Sequence, residues 1–263
     1  VFKYYHDDCF NILPIIEDNS IDSIIIDPPY ITTSESWDKE EVVNELLSEQ
    51  LFRIAKQSSS LYVWCGIGEK SNSLCRWLPI FSKHWYFKDL ITWKKQRGLG
   101  NKKGWLYTRE ECMWFVKDNK KFFWNEKEQY DKKDKRLFTM PNNKSEYKRY
   151  TNVWTDIEEE SGSMKSSRFH FTQKPVELIE RCIKLSTIED QTVLDCFGGS
   201  GTTAVACANT KRNCILIDKN ICDIKQSSFY NIPWVDIAKQ RVATILNTNK
   251  LTEYDKKKLC SLF

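Results

Sequence analysis

No apolar run in this 263-residue chain approaches the roughly 20 residues that span a bilayer, and the N-terminus has no signal-peptide layout. A cytoplasmic protein is expected. Histidine is scarce: His6, His84 and His170 stand far apart, without ligand spacing. The ten cysteines include no Cys-x-x-Cys pair, so they read as reduced core or surface thiols rather than as a metal site. The glycine-rich loop at 198–201 lacks the Lys-Ser/Thr ending of a phosphate-binding loop, and its spacing is not Gly-x-Gly-x-x-Gly. Nucleotide hydrolysis and hydride transfer both lose ground. With 41% hydrophobic residues, the chain has the composition and length to bury a full α/β core.

Two stretches carry chemistry. Ile24-Ile25-Ile26 reads as a buried strand that opens into Asp27-Pro28-Pro29-Tyr30. The prolines fix two φ angles and remove two amide donors, which frees the carbonyls of Asp27 and Pro28 to point outward as acceptors beside the Tyr30 ring. Such a cluster suits a planar amine: the acceptors take its hydrogens and the tyrosine stacks on its ring. The same four residues also occur as an ordinary strand-ending turn. The second stretch, Val193 to Thr203, reads as strand, tight turn and helix start, in which Gly198, Gly199 and Gly201 permit close approach of a ligand to the backbone.

Together, Asp-Pro-Pro-Tyr and Phe-Gly-Gly-Ser-Gly-Thr-Thr resemble motifs IV and I of the amino-group DNA methyltransferases, which move a methyl from S-adenosyl-L-methionine to an exocyclic base nitrogen. His170-Phe171-Thr172-Gln173-Lys174-Pro175 looks like the segment preceding motif I, and Ile215-Leu216-Ile217-Asp218 like motif II. The order, catalytic motif first and cofactor loop last, is similar to the β class, and the resemblance covers residues 5 to 245. Ile91 to Arg97 and Lys144 to Trp154 further look like small MboII-like adenine methyltransferases.

The resemblance implies an α/β fold: a Rossmann-like S-adenosylmethionine-dependent methyltransferase sheet with circularly ordered motifs. Residues 1–116 and 166–263 would form the catalytic and cofactor-binding domain, and 117–165 an inserted target-recognition region. It implies that Asp27, Pro28, Pro29 and Tyr30 are catalytic. Phe197, Gly198, Gly199, Ser200, Gly201 and Thr202 would wrap the methionine part of the cofactor, and Thr172 and Lys174 would reach its carboxylate. Asp218 would accept the ribose hydroxyls, although the family usually has glutamate there, and Asp8 with Cys9 would lie near the adenine, although Asp7 replaces a family glycine. No metal is implied. Adenine N6 is the expected target, because cytosine-N4 members commonly begin the motif with serine where this chain has Asp27. N4-cytosine is the alternative, and a cofactor-sensing DNA-binding protein without activity is an alternative of a different class. The partners implied are duplex DNA, a homodimer mate and a cognate restriction endonuclease acting on the same site.

Charge is unevenly spread. Lys94 to Arg149 holds 17 Lys and Arg against 8 Asp and Glu, a local +9 in a chain of net +4. Aromatic residues are interleaved there, a combination suited to a nucleic-acid groove. The DNA contacts expected are Lys94, Lys95, Arg97, Lys102 and Lys103 on a mobile loop spanning 94–105, then Arg109, Lys144, Lys148 and Arg149. Trp37, in a Trp-Asp pair that often follows the catalytic motif in the family, would border the flipped base.

Apolar spacing predicts a helix over 41–56 and strands over Leu61–Trp64, Tyr86–Trp93 and Cys112–Val116, the last two pairing antiparallel. A helix over Val176–Leu185 follows Pro175. Strand Val193–Cys196, helix Thr202–Asn209 and strand Cys214–Asp218 make a βαβ unit. A final helix is expected over Trp234–Leu246, with a polar tail after Asn247. For the two motifs to work together, their strands must lie side by side.

Overall fold

A computed structural model describes residues 1–32, 38–68, 71–99, 103, 105–132, 147–159, 173–222, 227 and 229–260; for 96, 97, 99, 131, 132, 147, 148 and 248–260 it describes backbone only. In chain order the elements are β1 (Phe2–Tyr5), α1 (Cys9–Ile12), β2 (Ile21–Ile26), α2 (Glu45–Ile54), β3 (Ala55–Cys65), α3 (Ser73–Phe81), β4 (Tyr86–Leu99), β5 (Tyr107–Val116), β6 (Tyr130–Lys132), β7 (Tyr147–Arg149), β8 (Val153–Trp154), α4 (Val176–Ser186), β9 (Thr192–Asp195), α5 (Thr202–Asn209), β10 (Asn213–Ile217) and α6 (Trp234–Cys260). Among the described residues no helix is long and apolar enough to cross a membrane.

Eight strands form one sheet in the order β1-β10-β9-β2-β3-β5-β4-β8. The first five run parallel, while β5 lies antiparallel to both β3 and β4. The two motif strands are neighbours, with Ser23 opposite Val193 and Ile24 opposite Leu194. That adjacency is the one the two motifs require.

Strand alternation sorts the core into two layers. Ile24, Ile26, Leu61, Val63, Leu194 and Cys196 face α2 and α3 through Leu47, Leu51, Ile54, Trp77 and Phe81. Ile25, Tyr62, Trp64 and Val193 face α4, α5 and α6 through Leu178, Ile179, Cys182, Ala204 and Ala238. Helix α5 lies between α4 and α6. Its small residues suit that position: from Thr202 to Ala208 every residue is buried, so there is no room for a larger side chain on any face. The cysteines whose side chains are described are all free thiols, buried except for Cys75.

Several expected boundaries move. The helix expected over 41–56 starts at Glu45, because Asn44 caps it by accepting the Leu47 N–H at 2.9 Å, and it stops at Ile54. Strand β3 begins at once and runs 11 residues, far beyond Leu61–Trp64. Its polar start hid it: Ser59 and Ser60 are fully buried, and the Ser59 hydroxyl bonds to the Ile21 carbonyl. The loop expected from Lys94 is instead a continuation of β4 through Leu99, with Lys94 paired opposite Arg109 and Leu99 opposite Tyr107. Helix α6 continues to Cys260 where a polar tail was expected, since residues 248–260 contain neither glycine nor proline to stop it. From the expected insertion, Val153–Trp154 joins the main sheet beside β4, and Trp154 is buried.

Candidate active site

Strands β2 and β9 end side by side, and the turns that follow them bound one cavity of about 140 Å³. Its wall includes Asp27 and Pro29 from the first turn, and Phe197, Gly198, Gly199 and Ser200 from the second. A second cavity, about 210 Å³, shares Pro29, Phe197, Asp218 and Asn220 with the first and reaches Asp8, Cys9 and Phe10. The two form a bipartite groove at the carboxyl ends of the parallel strands, where open α/β sheets bind ligands.

The first turn is held from several sides. The Tyr30 hydroxyl donates to Asp27 Oδ1 at 2.5 Å, and the ring meets Trp77 edge-on with centroids 5.8 Å apart. Burial, reinforced by Asp27, raises the tyrosine pKa. Directly after it, Ile31 takes φ 61°, which is strained for a β-branched residue. The buried Asp38 carboxylate accepts the N–H groups of Ile31 at 2.6 Å and Thr32 at 2.8 Å, satisfying both donors of the strained turn.

Lys174 lines the first cavity and is paired there with two carboxylates. Its ammonium is buried and donates to Asp27 Oδ2 at 2.5 Å, lies 3.1 Å from Glu110 Oε2, and stands 5.6 Å and 5.5 Å from the ring centroids of Tyr30 and Trp64. Desolvation alone would lower the lysine pKa, but the two carboxylates outweigh it and the net effect is a rise. The charge is shared between Asp27 and Glu110, in a residue that also lines the first cavity. Glu110 also pairs with Lys95, and these cations hold its pKa below the ordinary value despite burial. Lys95 thus points into this network instead of acting as a free phosphate-facing cation.

The second turn is stiffened by backbone capture. Asp218 accepts the Gly199 N–H at 2.8 Å through Oδ2 and the Asn220 N–H at 2.8 Å through Oδ1. Both oxygens expected for ribose already hold backbone, and each retains one further lone pair. Gly201 takes φ +84°, and a Cβ there would come within 2.2 Å of Ala238 Cβ, so α6 packs against bare backbone. Arg241 donates to the Ser200 carbonyl at 2.6 Å, and the Ser200 hydroxyl bonds Gln173 at 3.1 Å. Thr202 is buried at the start of α5. Asp8 caps α1 by accepting the Phe10 N–H at 3.0 Å and pairs with Lys219 at 2.8 Å; Cys9 is buried beside it.

Sequence reasoning gave no role to Asp195 or Glu110, and read Asp38 only as the second half of the Trp-Asp pair. Asp195 ends β9 in the cavity wall, and a carboxylate at the carboxyl end of a parallel strand was a readable signal. Glu110 is visible only once the β4–β5 register is known. Of the expected DNA contacts, Lys94, Lys103, Arg109 and Arg149 are exposed, and Arg109 pairs with Glu111 at 3.0 Å. The side chains of Arg97 and Lys148 are not described, and Trp37, Lys102, Lys144 and Thr172 lie outside the described residues.

An acceptor turn facing a glycine-rich ligand turn, on a mostly parallel sheet, defines a group-transfer site of the Rossmann-like methyltransferase type. Comparison with known proteins agrees: the DNA methylase family of N6 and N4 methyltransferases matches residues 21–228, and the chain belongs to this family. It is 30% identical over 254 residues to the Type II methyltransferase M1.MboII of Moraxella bovis, covering 86% of this chain and 95% of that one. To M.HpaI of Haemophilus parainfluenzae it is 29% identical over 242 residues, covering 88% and 71%. In fold it is similar to a Thermus thermophilus DNA modification methylase complexed with S-adenosyl-L-methionine (TM-score 0.66, 19% identity, 93% and 94% covered). It is also similar to the cytosine-N4-specific PvuII DNA methyltransferase (TM-score 0.64, 16% identity, 94% and 93% covered).

Proposed function

We propose that the protein is a site-specific DNA methyltransferase that transfers the methyl of S-adenosyl-L-methionine to N6 of an adenine flipped out of duplex DNA. One observation carries this reading: Asp27 and the turn at 197–201 open onto the same cavity. The groove suits an elongated, two-headed cofactor. Its first part offers the carboxylates of Asp195 and Asp218 to cationic groups, its second part is lined by Cys9, Phe10 and Val42, and Asp218 borders both. When bound, S-adenosyl-L-methionine supplies an electrophilic methyl on a sulfonium. Its methionine part would lie on Phe197 to Thr202, its ribose at Asp218 and its adenine near Asp8 and Cys9; Thr172 remains a proposed cofactor contact.

The chemistry of this chain's residues follows. Asp27 and the Pro28 carbonyl accept hydrogens of the target amine, which turns its lone pair out of the base ring and toward the methyl. Asp27 would take the surplus proton of the methylated nitrogen, the C–S bonding pair being left on the cofactor's sulfur, and pass it to solvent. Each charge-assisted bond contributes about 1.5–3 kcal/mol. Alignment contributes more, up to about 7–11 kcal/mol. Ile25, Ile26, Trp64, Ile179 and Trp234 line the cavity with apolar surface, which keeps water from the reacting centre.

Duplex DNA would dock where the β4–β5 hairpin extends beyond the sheet. Cys65, at the end of β3, pairs with Glu111, so Tyr107 lies four residues, about 13 Å, past that edge. The hairpin carries exposed Lys94, Lys103 and Arg109, and Trp105 and Leu106 are 91% and 62% exposed beside them. Phosphates would meet the cations and the base stack would meet the apolar tip. Arg97, Lys102 and Trp37, together with Lys144, Lys148 and Arg149 of a target-recognition region at 117–165, complete the proposed DNA contacts. A second copy of the chain and a cognate restriction endonuclease acting on the same site are the further partners proposed.

Adenine is favoured over cytosine by aspartate at the head of the catalytic turn. The test is incubation with labelled S-adenosyl-L-methionine and duplex DNA, followed by nucleoside mass spectrometry. N6-methyladenine is expected; N4-methylcytosine would reassign the target, and unmodified DNA would overturn the reading.

A further inference from the structure

Both oxygens of Asp27 are occupied in the resting site, one by the Tyr30 hydroxyl and one by the Lys174 ammonium. Each oxygen keeps a second lone pair, but Lys174 and Asp27 line the same cavity, so an amine that enters there meets the ammonium at Oδ2. Tyr30 belongs to the same rigid turn, three residues away, and is wedged against Trp77. Lys174 has an alternative. Its ammonium already lies 3.1 Å from Glu110 Oε2, an anion that is not part of the described cavity wall, whereas Asp27 is. The ammonium also stands 5.6 Å and 5.5 Å from the ring centroids of Tyr30 and Trp64, two faces that favour a cation.

We propose that Lys174 and Glu110 are positioning residues that form a two-place latch on Asp27: the ammonium guards Asp27 while the site is empty and withdraws to Glu110 when the target amine enters. This rests on the methyl-transfer reading above. The latch answers an electrostatic problem. Stranding the buried Lys174 ammonium without a counter-ion is costly. With Glu110 in place neither charge is ever unpaired, because the amine replaces the ammonium at Asp27 while Glu110 keeps the ammonium. No proton moves to or from Lys174 in this exchange; it acts as a cation throughout, in keeping with its raised pKa. Lys95, on the other oxygen of Glu110, fixes the carboxylate that receives it.

The test is a double-variant cycle read in steady-state kinetics on duplex DNA, with S-adenosyl-L-methionine affinity measured by calorimetry on the same preparations. Glu110→Gln leaves the ammonium with Asp27 alone, and kcat is expected to fall about tenfold or more. Cofactor affinity should stay within about twofold, since Glu110 does not line the groove. Adding Lys174→Met removes the guard, so the double variant should be faster than Glu110→Gln alone. Glu110→Asp, which keeps the charge, should lose less than Glu110→Gln and carries the comparison if the glutamine variant does not fold. Transfer by the unsubstituted protein with Glu110→Gln at the same kcat, or a double variant slowed by the product of the single losses, would overturn the latch alone. Absence of transfer by the unsubstituted protein would overturn the methyl-transfer reading and the latch with it.

Discussion

Thr203 Oγ1 donates to Asp195 Oδ2 at 2.6 Å, tying the last residue of β9 to the first turn of α5. Burial pushes the Asp195 carboxyl up to about 7, even though this bond and the Phe197 N–H pull the other way. The folded protein then holds a proton that the unfolded chain releases near pH ~4, so the contribution to stability is complete below that pH and is lost as pH rises through about 7. A ligand with cationic groups selects the ionised form. S-adenosyl-L-methionine is therefore expected to bind more tightly as pH rises through about 7, with proton release visible in calorimetry across buffers of different ionisation enthalpy. Asp195→Asn should flatten that dependence. A pH-independent affinity in the unsubstituted protein would remove Asp195 from the cofactor site.

Among the described glycines, Gly201 is the one where an added methyl would come nearest to another residue. Its φ of +84° disfavours any side chain, and Ala238 occupies the space a Cβ would fill. Gly201→Ala is expected to cost about 1–3 kcal/mol in urea unfolding and to weaken cofactor binding, because α6 must shift away from the ligand turn. Gly199→Ala is the comparison: its φ is also positive, but a Cβ there meets nothing within 4 Å, so backbone strain is its sole penalty and it should destabilise less.

Asp38 supports the catalytic turn without belonging to it. Asp38→Ala leaves the Ile31 and Thr32 amides without their acceptor and lets the strained φ at Ile31 relax. A loss of about 1–3 kcal/mol of stability is expected. Methyl transfer should fall further than cofactor affinity does if, as proposed, the turn holds the amine rather than the cofactor. Equal losses in the two would show that Asp38 acts only on the fold.

Lys94 and Lys95 are adjacent on β4 but should behave differently. Lys94 is exposed, whereas Lys95 is partly buried against Glu110. Lys94→Glu should weaken DNA binding and lower the salt slope by about 0.9 for each phosphate left unneutralised, with kcat at saturating DNA retained. Lys95→Glu should reduce kcat as well, because it places a second anion beside Glu110. Fluorescence anisotropy across a salt series, read with single-turnover rates, separates the two outcomes.

The motif strands and the glycine turn were legible because each has a local signal: a triple isoleucine run, two consecutive prolines, three glycines in four residues; the adjacency of the strands followed only from the need for the two motifs to meet. Helix α5 was readable to its ends, Thr202 and Asn209, since a small-residue run follows directly on the glycines. The start of β3 was not, because serines in a strand buried on both faces carry no hydrophobic alternation. Nor was the partner of Lys174. Its segment resembles a cofactor-binding one, yet its charge is drawn to Asp27, 147 positions earlier, and to Glu110 across a hairpin whose register no local pattern encodes.

The Asp27 turn is proposed to perform transfer on a methyl presented by the adjoining glycine turn. Asp27→Ala, assayed side by side for S-adenosyl-L-methionine affinity and for methyl incorporation into duplex DNA, tests it most directly. The account predicts cofactor affinity close to that of the unsubstituted protein and transfer reduced to background. Near-normal turnover in that variant would contradict it.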